Sequence, residues 1–134
     1  MAALPHANKL AAYSSAAAHG GVAAADPHKL IVLLLDGALE RIAMARGCIQ
    51  RDAAIDKAQY VNRAVNIISE LRGSLDMNAG GDIARNLSDL YEYMCVRLLK
   101  GSLDNQPSYL DEVSALLRQI REAWVAIPVG ARVK

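Results

Sequence analysis

His6, His19, His28, Cys48, Cys95 and the turn Gly80-Gly81-Asp82 are the groups in this 134-residue chain from which a reactive or metal-binding site would be assembled. The three histidines all fall in the first 28 positions, ahead of the first helix or in its opening turn. A helical bundle that holds a di-iron centre needs inward-facing Glu-x-x-His pairs, and the chain contains none. The cysteines stand alone, without the CxxC spacing or histidine companions of a zinc site, and read as buried free thiols. A serine or cysteine nucleophile would need a basic partner that no predicted helix face offers. Gly80-Gly81 could present amides to an anion at a helix start. The strand, lysine and further glycines of a phosphate loop are missing, however, and Asp82 would repel a phosphate there. These residues predict no catalytic group, no metal ligand and no cofactor.

Composition narrows the remaining classes. The chain is 53% hydrophobic with 4% aromatics and no phenylalanine, enough apolar material for one domain packed by aliphatic residues and alanine. A formal net charge of +1, with positive and negative residues intermixed, supplies no basic stripe for a nucleic-acid backbone. No run approaches the roughly 18 apolar residues of a membrane span. Lys9-Leu10-Ala11-Ala12 and Ala16-Ala17-Ala18 imitate a signal peptide, but Tyr13-Ser14-Ser15 interrupts them. The expected protein is soluble and cytoplasmic.

The elements that would position any site are helices. Residues 1–25 are alanine-rich and predict a mobile arm with Leu10, Tyr13 and Val22 as apolar anchors. Asp26 is a good N-cap and Pro27 a good first residue for a helix running to about Arg51. It carries the heptad stripe Ile31, Leu35, Ala38, Ile42, Ala45 and Ile49. A second helix, about Ala53 to Asp76, carries the seam Ala54, Ala58, Val61, Val65, Ile68 and Leu75. Asp82 predicts the cap of a third helix, about Ile83 to Lys100, ended by Gly101. Ser108 with Asp111 resembles a capping box for a fourth, which Pro128 stops. Period-two alternation is absent over any useful length. The fold predicted is all-α: an antiparallel up-down-up-down four-helix bundle over residues 26–128, with the arm before it and a frayed tail at 129–134. The alternative is a pair of helical hairpins that completes its core by dimerising. The pairs Glu40-Arg41, Glu70-Arg72, Asp89-Glu92 and Arg118-Arg121-Glu122 read as solvated surface.

Two features exceed what a self-contained bundle needs. In Leu30-Ile31-Val32-Leu33-Leu34-Leu35, at about 100° per residue, Leu33 points away from the stripe of its own helix. On the second helix Tyr60, Ala64, Ile67 and Leu71 form a second stripe beside the first. Several such residues left open would make a patch larger than soluble monomers tolerate. A second bundle, the protein's own arm or a partner's amphipathic helix would have to cover them.

The order of motifs also resembles a known family. Val22, Ala25, Asp26-Pro27-His28-Lys29-Leu30 and Leu35-Asp36-Gly37-Ala38 look like the opening pattern of the FliS family of flagellar secretion chaperones. Leu71, Leu75-Asp76, Gly80-Gly81-Asp82-Ile83-Ala84, Asn86-Leu87, Leu90-Tyr91, Tyr93-Met94 and Ala123-Trp124 continue the likeness over about residues 22–127. Leu35 departs from it where many members carry tyrosine, and Ala24 where threonine is common. The resemblance implies a non-enzymatic four-helix bundle in the cytosol. Such a bundle binds the C-terminal segment of newly made flagellin, blocks its premature polymerisation and hands it to the flagellar type III export apparatus. The groove expected from helical geometry is bordered by Leu30, Leu33 and Leu34 on the first helix, Tyr60, Ala64, Ile67 and Leu71 on the second, and Ala84 and Tyr91 on the third. Leu10, Tyr13 and Val22 of the arm would form its lid. On this reading Ile67→Asp weakens client binding and leaves the helices intact. A homodimeric bundle adaptor with another client is the alternative function.

Overall fold

The computed structural model describes residues 26–128. The expected arm, with Leu10, Tyr13 and Val22, and the expected tail at 129–134 lie outside them. Four α-helices account for the described chain: α1 (Pro27–Gln50), α2 (Ala54–Gly73), α3 (Met77–Leu103) and α4 (Pro107–Val125). No strand occurs among the described residues. Each helix packs along two neighbours, α1 against α2 and α4, and α3 against α2 and α4, so the elements close into a square. Polar contacts show the directions. Asp36 and Arg46 of α1 pair with Arg121 and Asp111 of α4, in opposite order along the two chains. Arg72 of α2 reaches Ser88 of α3 while Lys57 reaches the Ser102 carbonyl, again in opposite order. The result is an up-down-up-down bundle, as the apolar periods predict.

Helix ends follow from local chemistry. The Asp26 carboxylate accepts from the His28 and Lys29 amides at 3.0 and 3.4 Å, with Pro27 at the first position. The α1–α2 and α3–α4 links are built alike. Asp52 and Asn105 adopt left-handed conformations with φ of 57° and 51°. The next amide bonds back six residues inclusive in each case, Ala53 to the Cys48 carbonyl and Gln106 to that of Gly101, both at 2.9 Å. Such a Schellman turn reverses the chain in three residues and makes consecutive helices antiparallel.

Three boundaries differ from expectation. Asp76, not Asp82, caps α3, accepting from the Asn78 and Ala79 amides. The helix then breaks at Gly81, whose φ of 54° and ψ of −131° suit only glycine, and resumes. Asp82 pairs with Arg85. At the far end α3 continues past Gly101 to Leu103, because Gly101 lets α4 cross closely. A Cβ there would lie 2.7 Å from Leu110 Cδ1 and 2.9 Å from Tyr109 Cβ. Finally, Gln106 precedes α4 with no side-chain cap, and Asp111, read as half of a capping box, is spent on Arg46 at 2.6 Å.

The core is aliphatic. Leu35, Ala38, Ile42 and Ala45 of α1 meet Val61, Ala64, Ile68 and Leu71 of α2, Met94 and Leu98 of α3, and Leu110, Val113 and Leu117 of α4. The end where the first helix begins and the last one finishes is latched by a reciprocal pair 96 positions apart. His28 Nε2 donates to the Trp124 carbonyl at 2.6 Å, Trp124 Nε1 donates to the His28 carbonyl at 3.0 Å, and the rings stack at 5.0 Å. Trp124→Phe keeps an aromatic ring, though a smaller one, and deletes the indole donor to the His28 carbonyl. We expect it to lower stability by about 1 kcal/mol in urea titrations followed by far-UV circular dichroism.

On the α3–α4 flank, Tyr93 Oη and Arg97 Nε each donate to Glu112 at 2.6 Å, and the Arg97 guanidinium lies 3.8 Å from the Tyr109 ring centroid. The Tyr93 hydroxyl first, and Arg97 with it, hold the Glu112 carboxyl below its ordinary value of 4.5. A carboxylate depressed in the folded state stabilises above its unfolded pKa, and that contribution is lost as pH falls through the folded one. The difference in urea midpoint between the protein and Glu112→Gln should therefore be present at pH 7 and shrink steadily below pH 4.5.

Candidate partner-binding surface

The expected groove residues separate by burial. Leu34, Ala64, Ile67, Leu71, Ala84 and Tyr91 are closed off inside the single subunit. Leu30 and Tyr60 are half-buried, and Leu33 is 49% exposed. Of the nine residues expected to border an open groove, the last three alone present side-chain area to solvent in the single subunit. The physical reason lies in the rotation of α2. Its core face is centred between the two apolar stripes, so Ala64, Ile67 and Leu71 point inward and Ala54 and Ala58 of the other stripe are left exposed. Tyr91 follows the same pattern on α3, and burial pushes its phenol up to about 12, so it stays neutral.

What remains is a shallow strip along the α1–α2 seam, apolar at its two ends on α1 and crossed by Glu40 between them. Ile67 forms its floor, 8% exposed, beneath Gly37 of the Leu35-Asp36-Gly37-Ala38 motif. A Cβ on Gly37 would sit 3.4 Å from Ile67 Cδ1, so the bare glycine leaves a notch above that side chain. Leu33 stands one turn before Gly37 on the same side of α1, and Met44, 46% exposed, stands two turns after it. Leu33 and Met44 are about 16 Å apart along the helix, room for three turns of a docked helix. Tyr60 flanks the strip from α2, with the Arg63 guanidinium 5.9 Å from its ring centroid. Sequence periodicity missed Met44, because eleven positions separate it from Leu33 and only charged or small residues lie on the same line between them. Glu70, read as surface, is 1% exposed, one turn beyond Ile67.

Nothing in the strip is equipped for covalent chemistry. Among the described residues no three His, Cys, Asp or Glu side chains gather as metal ligands. Cys48 is buried, and the half-buried Cys95 thiol is pushed up chiefly by burial, which keeps it protonated. An indentation of about 30 Å³ beside the α1–α2 link, lined by Cys48, Asp52, Lys57 and Asn105, is of the size that ordered water fills. No helix among the described residues is long and apolar enough to cross a membrane.

The described residues form a four-helix bundle with exposed apolar side chains along α1. Comparison with known proteins gives the family. The model of the flagellar protein FliS matches residues 8–131. The chain is 44% identical over 115 residues to the flagellar secretion chaperone FliSB of Pseudomonas aeruginosa, covering 86% of this chain and 91% of that one. It is 39% identical over 122 residues to the flagellar secretion chaperone FliS of Salmonella typhimurium, covering 90% of each. The corresponding protein of Vibrio cholerae is 36% identical over 119 residues, covering 89% of this chain and 88% of that one. The chain belongs to the FliS family.

Proposed function

We propose that this protein is a cytoplasmic, non-enzymatic flagellar export chaperone. It binds the C-terminal segment of flagellin, prevents that segment from polymerising early, and delivers it to the flagellar type III export apparatus. Membership of the FliS family over nearly the whole chain carries this reading. The relatives named flagellar secretion chaperones support it at 36 to 44% identity. The α1–α2 strip supplies the physical means. A segment that is disordered alone must gain enough apolar contact to offset an ordering cost of about 2 to 5 kcal/mol. Burying even two leucine-sized side chains contributes about that much. Leu30, Leu33 and Tyr60, with Met44, are the side chains that meet the client directly. Leu34, Ala64, Ile67, Leu71, Ala84 and Tyr91 serve it from beneath, by holding the strip in shape. Leu10, Tyr13 and Val22 of the arm compete with the client for the strip.

Isothermal titration of the full chain with a synthetic flagellin C-terminal segment tests the reading. One segment should bind per chain, with a negative heat-capacity change from apolar burial and a gain in helical circular dichroism as the segment folds. A titration without heat at several temperatures would remove flagellin as the client.

A further inference from the structure

Met44 places a thioether at one of the two apolar ends of the strip, and its side chain is open to water. Of the chain's four methionines, at positions 1, 44, 77 and 94, Met94 is sealed in the core, while Met44 and Met77 are 46% and 44% exposed. Met77 begins α3, which packs against α2 and α4 and lies diagonally across the bundle from α1. Three residues beyond Met44 on α1 stands Gly47, so no side chain from that position covers it. A helical side chain leans toward the turn before it, here Glu40 and Arg41, and those two are engaged with each other at 2.7 Å. The thiols of the chain are less open to an oxidant. Thiols react with peroxides as thiolates, yet Cys48 is buried, and burial pushes the half-buried Cys95 thiol up, which keeps it protonated. A thioether has no proton to lose and needs access alone.

We propose that Met44 is an oxidation site through which peroxides weaken client binding. The inference rests on the strip being the client's surface. The step is a two-electron oxygen transfer. A lone pair of Met44 Sδ attacks one oxygen of the peroxide, an S–O bond forms as the O–O bond breaks, and the departing hydroxide takes the proton of the transferred oxygen and leaves as water. The sulphur is oxidised by two electrons and the peroxide is reduced by two. The product sulfoxide is polar and accepts hydrogen bonds, so a client that covers it must strip away its water and gains no apolar contact in return. The strip has little to spare. Glu40 crosses it between Leu33 and Met44, so the loss of Met44 leaves α1 with Leu33 and the half-buried Leu30. The fold is indifferent to the change, because Met44 lies outside the core cluster and Met94, which lies within it, is out of a peroxide's reach. A thiol-dependent sulfoxide reductase removes the oxygen again, converting two thiols to a disulfide and releasing water, so the loss is reversible.

Binding of a labelled flagellin C-terminal segment to the full chain, before and after hydrogen peroxide, tests the proposal, with the peroxide removed before the segment is added. Met44→Leu and Met77→Leu are treated alongside the parent, and each chain is compared with itself. Peptide mapping by mass spectrometry should find one added oxygen on Met44 and none on Met94. The oxidised parent should keep its helical circular dichroism and thermal midpoint while its Kd rises about tenfold. Met77→Leu should show the same rise and Met44→Leu almost none, and reductase with dithiothreitol should restore the parent. A Met44 that stays unoxidised while Met77 is oxidised overturns the proposal, as does an oxidised Met44 with unchanged Kd. An equal rise in Met44→Leu, or a loss of helicity on oxidation, overturns it too. A segment that fails to bind the untreated chain removes the proposed function and this inference with it, whereas binding that peroxide leaves unaltered removes this inference alone.

Discussion

Ile67→Asp should destabilise the bundle by about 4 kcal/mol, a large fraction of the total stability of a domain this size. From sequence this residue read as one whose replacement would weaken client binding and spare the helices. It is instead 8% exposed within the core cluster, with Gly37 of the neighbouring helix above it. A carboxylate there must either stay charged without solvent or be protonated at neutral pH, and both raise the folded state in energy. Urea titration by circular dichroism at pH 7 should show the midpoint displaced strongly, or the variant already unfolded without denaturant. A variant as stable as the parent would mean that the α1–α2 seam opens to water at Ile67, and that the wider groove read from sequence exists after all.

The second large effect falls on binding with no change of fold. Leu33→Asp replaces a leucine that already presents about half its surface to solvent, so the helices should be indifferent to it. A docked client would have to bury the new carboxylate and forgo the leucine contact, a loss of about 2 kcal/mol or about thirtyfold in Kd. Fluorescence anisotropy of a labelled flagellin C-terminal segment reads that ratio directly. Unchanged affinity for Leu33→Asp, with helicity intact, would move the client away from α1.

The contrast between these two positions shows where sequence reading succeeds and stops. The four helices, the Asp26-Pro27 start and the α1 core stripe are local properties, written in periodicity and capping chemistry, and Leu35, Ala38, Ile42 and Ala45 are buried as their spacing requires. The rotation of α2 about its own axis is not local. Its two apolar stripes are similar in strength, and where the core face falls between them is decided by neighbours. Gly37 admits Ile67, while the short side chains of Ala54 and Ala58 lose little by remaining outside. The surplus of apolar surface inferred from sequence is therefore present, but a large share of it belongs to Ile55 and to Val96, Leu99 and Leu103 of α3. Long-range pairs were equally silent. Nothing near His28 announces Trp124, and nothing near Asp111 announces Arg46. Asp111 looked like a cap because it stands three positions after a serine at a helix start. Its partner across the bundle offers a bidentate ion pair that a local amide does not.

The claim on which the functional reading turns is that the strip from Leu33 to Met44 receives the flagellin segment. Calorimetric titration of the double variant Leu33→Asp/Met44→Asp against the parent chain tests it most directly, with circular dichroism and thermal melts recorded on the same samples. The predicted result is an undisturbed bundle whose affinity for the segment is about a hundredfold weaker. A double variant that folds normally and binds the segment as tightly as the parent would contradict the account.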